Sequence, residues 1–461
     1  MRRQKWCAPI GVLVLVSPSA GLTQYTPDEP VRQQQPALRS QPIEPIDVPP
    51  SIEQGVDLIY IDPEIAPEVK RRTGLLKSLK LQDWSGAPID MFTSVNPIYT
   101  ELRRGLMRYR QRWGDLPQVQ IPAGSAVMKA GVWDDRVPLL RHRLGLPGGT
   151  VFDDELTKAV SEYQTAHGLK SDGIAGNGTI RSLNLGHDHY QRTVILNMER
   201  ALRLPTPEEK DPYILIDAGA ARLWMYENGR AVDSMRVIVG EAKTQTPMMA
   251  ALIKYVSLNP YWNVPPELAQ SLVARNVLEQ GLTYFTDRNY EVLSDWSDNA
   301  VTLDPRQVEW EAVAAGKKEI RLRRGPGPWN SMGEMKFMLP NDFGIYLHDV
   351  PEPTKVAFAK DDRAISNGCV RLEDAKRLQK WVFGGAVPVA TGEPDQRVDL
   401  PRPIPVYMTY FTAVPAAAGI AFRPDLYDRD GPLLARVKLE GAIDPVRNAG
   451  ETPNMPAQLR R

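Results

Sequence analysis

At Tyr213 the hydrophobic repeat of the chain changes from that of a helix to that of a strand, and this change divides the sequence. Tyr213-Ile214-Leu215-Ile216-Asp217 and Arg222-Leu223-Trp224-Met225-Tyr226 read as strands, with Asn228-Gly229 as a hairpin turn before a third at 232–239. Strand-like runs return at 254–258, 344–347, 387–390 and 405–410. Between them, about 266–325, lies a charged stretch of helical pattern containing Leu268-Ala269-Gln270-Ser271-Leu272-Val273. An insertion of that size inside a β-rich domain at 211–394 predicts a lid or capping subdomain.

Upstream the pattern is helical. Within 56–125, Leu102, Leu106, Tyr109 and Trp113 recur at helix spacing and Gly114 stands at a C-terminal cap, which predicts a packing scaffold. Residues 126–186 hold three short helices. Asp135-Arg136-Val137 leads into Leu139, Leu140 and Leu144. Asp153 or Asp154 caps a helix whose Leu156, Val160 and Tyr163 share a face up to Gly168. After an Asp172-Gly173 turn, Thr179, Ile180 and Leu183 form a last short helix closing on Asn184, and 187–210 is a helical connector. So few apolar side chains make a module too lean for an active site. His167, the residue before a capping glycine, reads as structural rather than as a metal ligand.

The first residues carry positive charge before the apolar run Pro9-Ile10-Gly11-Val12-Leu13-Val14-Leu15-Val16 and small residues up to Gly21. This predicts a signal peptide over 1–21 and export. Residues 22–55, with seven prolines between Thr26 and Ser51, read as a Pro/Gln-rich linker, and 395–461 as a strand and helical extension with a tail. With 56 basic and 56 acidic residues the net charge is zero, without the electrostatic footprint of a nucleic-acid binder or polybasic membrane reader. The cluster Arg321, Arg323, Arg324 reads as a solvated face.

Of the two cysteines, Cys7 precedes the apolar run and leaves with it. Cys369 then remains as one unpaired thiol in a compartment that favours disulfides, so it is either buried and inert or chemically used. Its surroundings bear on the choice. Ile345-Tyr346-Leu347-His348-Asp349-Val350-Pro351 delivers a histidine at the end of a strand, and Arg363-Ala364-Ile365-Ser366-Asn367-Gly368-Cys369-Val370-Arg371-Leu372 delivers the cysteine after a glycine. Such a histidine can take the thiol proton. Gly368 lets the backbone turn so that amides around Cys369 converge on a developing oxyanion. Glu373-Asp374-Ala375 opens a helix whose positive end is expected to depress the thiol pKa. By spacing alone a lone Cys with a His 21 positions upstream is a weak signal. His142 and His167 lie in the helical module, and His187 and His189 flank an acidic residue without a cluster to complete a metal site. With no phosphate-binding glycine loop either, no cofactor or metal is expected.

Two stretches resemble known families. Ala159-Val160-Ser161-Glu162-Tyr163-Gln164, His167-Gly168-Leu169, Asp172-Gly173-Ile174, Gly176, Thr179 and Leu183-Asn184 resemble the three-helix peptidoglycan-binding module. Tyr346-Leu347-His348-Asp349 with Ser366-Asn367-Gly368-Cys369-Val370-Arg371 resembles the catalytic motif of the L,D-transpeptidase (YkuD) domain. Further matches at 236–240, Thr246-Pro247, 259–265, 326–330, Gly333, Lys336-Phe337, Pro340-Asn341 and Phe422-Arg423, Asp425 and Tyr427 resemble the large periplasmic, lid-bearing YcbB-like subgroup.

The resemblance implies a multidomain α+β protein: a β-rich catalytic domain with a helical lid insertion, a small three-helix peptidoglycan-binding module and a helical scaffold, located in the periplasm. It implies a Cys369 nucleophile and a His348 base, with Ser366, Asn367, Gly368, Arg371, Tyr346 and Asp349 in support and Trp262 and Asn263 at the substrate. For Trp262 ordinary packing competes with that role. The implied reaction acylates Cys369 with a tetrapeptide stem, releases D-alanine and transfers the acyl group to a second stem as a 3→3 cross-link. Carbapenem acylation of Cys369 is implied too. Partners are peptidoglycan stem peptides and other wall-synthesis proteins; no nucleic acid is expected, and a membrane only through the uncleaved signal peptide. Asn367 departs from the His or Ser usual in relatives, and the loop from His348 to Cys369 is longer than theirs. A same-fold hydrolase (an L,D-carboxypeptidase or wall-anchor-releasing amidase) and a non-catalytic wall-binding protein remain the alternative readings.

Overall fold

The computed structural model describes residues 60–62, 95–297, 299–341, 343–417, 419–437 and 439. The stretches read as a signal peptide with Cys7 and as a Pro/Gln-rich linker, much of the expected early scaffold and the end of the tail lie outside them. Among the described residues no helix is long and apolar enough to cross a membrane.

The helix Pro97–Tyr109 starts where Asn96 Oδ1 accepts from Ile98 N at 2.9 Å, with proline at its first position. It buries Leu102, Leu106 and Tyr109, and a π-helical turn, Arg110–Gly114, rotates Trp113 onto the same core. Helices Val137–Arg143 and Asp154–Ala166 follow. Asp153 is the cap of the second: its carboxylate accepts from Leu156 N at 2.9 Å and from Arg141 Nη1 at 2.8 Å. The expected last short helix is the first part of a longer run, Asn177–Leu202, broken at Gly186 (φ 82°, ψ 165°). Across this kink the chain passes from the module to the helix that packs on Pro97–Tyr109. That helix also reaches the C-terminal hairpin.

From Tyr213 the chain builds one ten-stranded sheet. In chain order its strands are β1 (Tyr60–Ile61), β2 (Tyr213–Asp217), β3 (Arg222–Glu227), β4 (Arg230–Gly240) and β5 (Met249–Leu258). After β6 (Trp262–Val264), β7 (Tyr290–Leu293), β8 (Thr302–Leu303) and β9 (Arg321–Arg324), which belong elsewhere, come β10 (Met335–Met338), β11 (Leu347–His348), β12 (Ala364–Ser366), β13 (Val370–Leu372) and β14 (Gln396–Thr409). The neighbour order β5-β10-β11-β13-β4-β3-β2-β14 closes because β14 also pairs with β5. Closure removes free edges and encloses a packed interior. β14 pairs along both of its sides, with β2 and with β5, and its ladder to β5 shifts register between Asp399 and Ile404. Pro401 and Pro403, which have no N–H to give, lie in that interval. Val387–Ala390 is not a strand: 387–390 is irregular and Val389 is 82% exposed, so the β-branched pattern there has no sheet face to serve.

The insertion contains the expected helices, including Pro266–Leu268 continuing through Ala269–Ala274 into Arg275–Gln280, and adds a four-stranded antiparallel sheet, β6-β9-β7-β8. Helices and sheet share a separate core of Trp262, Val264, Val273, Phe285, Trp310 and Leu322. Alternation in Arg321-Leu322-Arg323-Arg324, which puts Leu322 inward, is the strand signal that charge concealed.

Candidate functional site

The site forms where short strands cross. β11 lies between β10, antiparallel with Lys336 opposite His348, and β13, parallel with His348 opposite Arg371. Residues opposite one another share a sheet face, and residues two apart on a strand return to it. Lys336, His348 and Arg371 therefore form one cross-strand row, with Tyr346 and Cys369 beside it on the same face. The pairing continues past the strand ends, since Val370 N donates to the Tyr346 carbonyl at 3.2 Å. Tyr346 packs onto the insertion's core, which ties that subdomain to the row.

His348 is buried, and its Nδ1 lies 2.6 Å from the Asp349 carbonyl oxygen. A carbonyl only accepts, so Nδ1 carries the proton. Burial first, then the Arg371 guanidinium and, in smaller part, Lys336, press the imidazole pKa down to about 3. The ring is thus neutral near pH 7, with its lone pair on Nε2, where it makes no hydrogen bond among the described residues. This is the protonation state of a base. Its edge faces the Tyr346 ring at 5.7 Å.

Cys369 is half-buried and free of any disulfide. Desolvation raises its thiol pKa, opposed by hydrogen bonding from Tyr346 and the charges of Arg371 and Lys336. Burial and the neighbouring Cys369 push the Tyr346 hydroxyl well above its ordinary range. The resting pair is therefore neutral thiol and neutral imidazole, and Sγ donates to the Gly344 carbonyl at 3.7 Å rather than to His348. In free enzymes such hydrogen bonds commonly tighten only when substrate is bound.

The helix expected to depress the thiol pKa does not do so. Cys369 is followed by β13, and the helix Ala375–Val382 starts beyond it with its positive end occupied by the Asp374 carboxylate, which accepts from Arg377 N at 3.0 Å. Cationic side chains and Tyr346 take that role instead.

The loop carrying Cys369 is held by side chains. Ser366 Oγ donates to the Cys369 carbonyl at 2.7 Å and accepts from Gly368 N at 3.2 Å. Gly368 adopts φ +109°, a conformation that favours glycine. Thr244 Oγ1 donates to the Ser366 carbonyl at 3.0 Å, and Thr246 Oγ1 to the Gly368 carbonyl at 2.8 Å. Asn367 is half-buried in the same loop. Asp349 faces away from the row: its carboxylate accepts from Glu334 N at 2.9 Å and fixes the turn before β10.

Tyr346, His348, Gly368, Cys369 and Arg371 are thus brought together, with Ser366 and Asp349 bracing their backbones. Trp262 is buried in the insertion's core, with the Arg324 guanidinium 5.7 Å over its ring, so packing accounts for its position. Asn263 is exposed on β6. Sequence reasoning gave no role to Lys336, Thr244, Thr246 or Tyr427. For Lys336 a signal existed, a lone charge in the apolar run Met335-Lys336-Phe337-Met338, where the structure half-buries it. Among the described residues no group of His, Cys, Asp and Glu is arranged to hold a metal.

Two stretches of the chain match known protein families. Residues 211–398 match the family model described as "L,D-transpeptidase catalytic domain" (YkuD), and residues 142–183 the one described as "Putative peptidoglycan binding domain". A protein of Haemophilus influenzae named "Putative L,D-transpeptidase" is 29% identical over 225 residues, which are 47% of this chain and 44% of that one, so the chain spans under half the length of this relative. Among solved structures, an L,D-transpeptidase fragment from Xylanimonas cellulosilytica overlaps at 16% identity over 62% of this chain and 99% of its own, TM-score 0.20. One from Mycobacterium smegmatis overlaps at 11% identity over 43% and 58%, TM-score 0.21. On the two domain matches, the chain carries a YkuD-type L,D-transpeptidase catalytic domain together with a peptidoglycan-binding domain.

Proposed function

We propose that this protein is a periplasmic L,D-transpeptidase that forms 3→3 peptidoglycan cross-links through a thioester on Cys369. The observation that carries the reading is the tautomer of His348: with Nδ1–H held by the Asp349 carbonyl, Nε2 offers its lone pair on the sheet face that bears Cys369. In the first half-reaction Nε2 takes the thiol proton and sulfur bonds to the carbonyl carbon at the L-centre of diaminopimelate in a tetrapeptide stem. The C–N bond to terminal D-alanine breaks, and the imidazolium returns the proton to the departing amine. In the second, the amine at the D-centre of a neighbouring diaminopimelate gives up a proton to His348, bonds to the thioester carbon and expels the thiolate. Arg371 and Lys336 support the thiolate, whose charge burial opposes. The peptidoglycan-binding domain keeps the enzyme on the polymer that supplies both stems.

Intact-mass spectrometry of the mature protein and of Cys369→Ala, after incubation with a disaccharide-tetrapeptide or a carbapenem, tests the reading. A covalent adduct on wild type alone, with D-alanine release and a 3→3 dimer, is expected. Tripeptide without dimer would assign the chain to the hydrolases, and a folded protein that forms no adduct would leave it a wall-binding protein.

A further inference from the structure

Thr246 lies outside the cross-strand row, on the connection between β4 and β5, and is completely buried. Its hydroxyl accepts from Gly240 N at 2.9 Å and donates to the Gly368 carbonyl at 2.8 Å. A peptide group is planar and trans, so its C=O and the next residue's N–H point in opposite directions. Holding the Gly368 carbonyl on Thr246 therefore aims the Cys369 N–H away from the 240–246 loop. The other end of that residue is fixed as well, because Ser366 Oγ holds the Cys369 carbonyl.

Thr246 is held in turn from the C-terminal segment. Tyr427 Oη donates to the Gly240 carbonyl at 2.6 Å, and Arg429 Nη2 donates to the Thr246 carbonyl at 3.0 Å while its Nε donates to Gln245 Oε1 at 2.8 Å. Gly240 admits this packing only for want of a side chain: a Cβ there would stand 2.0 Å from the Thr244 carbonyl oxygen. The Thr246 hydroxyl is thus fixed on two sides before it meets Gly368.

We infer that Thr246 is the positioning residue for the Cys369 amide as an oxyanion donor, with Tyr427 holding it in place from the C-terminal segment. The inference rests on the transpeptidase reading. When the thiolate adds to a carbonyl, the S–C bond forms and the C=O π pair moves to oxygen; the Cys369 N–H donates to that oxygen, and the pair returns when the C–N bond breaks. Alkylation of the same thiolate by iodoacetamide forms an S–C bond and expels iodide at a saturated carbon, with no oxyanion to stabilise.

The ratio of the two rates isolates the amide's orientation, and a purely structural role for Thr246 would leave it unchanged. The full mature chain is compared as wild type, Thr246→Val, Thr246→Ser and Tyr427→Phe, using acylation by a carbapenem and alkylation by iodoacetamide, both followed by intact mass. Thr246→Val is expected to slow acylation by about ten- to a hundred-fold with alkylation within about two-fold, less than the loss of a whole oxyanion donor. Thr246→Ser restores acylation, and Tyr427→Phe, which leaves Thr246 intact, shows the same selective loss in smaller degree. If both rates fall together or the ratio is unchanged in Thr246→Val and Tyr427→Phe, the inference is wrong. A wild type that is alkylated but never acylated would overturn the transpeptidase reading itself, a result separable from any difference among the variants.

Discussion

His167 in the peptidoglycan-binding module and His348 in the barrel are alike in every property that usually marks a catalytic histidine. Both are buried, both donate from Nδ1 to a backbone carbonyl (Tyr163 at 2.8 Å, Asp349 at 2.6 Å), and burial presses both to a pKa of about 3. They differ at Nε2. In His167 that nitrogen accepts from Tyr109 Oη at 3.1 Å, inside rings that include Tyr163 stacked at 3.8 Å and Phe422 at 5.6 Å. In His348 it makes no hydrogen bond among the described residues, and Cys369 shares its sheet face. A depressed pKa therefore reports burial; under the proposed function, the unspent acceptor on the face that bears the Cys369 thiol is what separates a base from a strut.

Exchanging the two residues' fates is the sharpest way to break that comparison. His348→Gln is expected to lower kcat/KM for thioester formation by about 10²–10⁴-fold, the range for a lost general base, with little loss of fold. His167→Leu should do the reverse, costing about 1–3 kcal/mol in a urea titration because Tyr109 loses its buried partner, while acylation per folded molecule stays within about two-fold. Equal effects on activity would void the distinction.

The pH dependence of stability sharpens it further. Each histidine falls from an ordinary 6.5 to about 3 in the folded chain, so between those values the unfolded state binds the extra proton. Stability attributable to each is complete above pH 6.5 and is lost as pH falls toward 3, at up to about 1.4 kcal/mol per pH unit. Subtracting the His167→Leu profile from that of wild type should return a slope of this sign. A flat difference would mean that His167 is charged in the fold.

A smaller effect is expected in thiol reactivity. Because burial raises the Cys369 pKa above an ordinary 9.0, iodoacetamide alkylation of the free enzyme should climb with pH through 9 without a plateau near neutrality. Tyr346→Phe, which removes a hydrogen bond that favours the thiolate, should slow alkylation at pH 8 by a few-fold. A plateau near pH 6–7 would instead show a preformed thiolate–imidazolium pair.

Much of this was legible in the sequence, and the omissions have physical causes. β2 and β3 were read nearly to their ends because alternation and an Asn-Gly turn act locally. Leu102, Leu106, Tyr109 and Trp113 fell on one buried face because helix spacing is local too. Cys369 and His348 stood out through the motifs around them, since their spacing alone is a weak signal. The sheet of the insertion was hidden because β9 is three-quarters arginine, and its partners lie far away in sequence. The bracing by Thr246 and Tyr427 crosses 122 and 187 positions, and nothing near either residue announces a partner so distant. The helix expected to act on Cys369 was a local inference that failed because three residues of strand intervene.

The closure of the barrel by β14 has a kinetic consequence. Its partners β2 and β5 lie far earlier in the chain, and pairing at such separation meets its loop-closure entropy before any contact repays it. β13, next to Cys369, can dock on β4 and β10 on β5, with β11 and His348 between them, before β14 arrives, but until then the sheet has open edges at β2 and β5. The thiol's surroundings should therefore mature late in folding, and a chain interrupted before Gln396 would carry every residue of the reactive row in an unsealed sheet that is prone to associate through its edges.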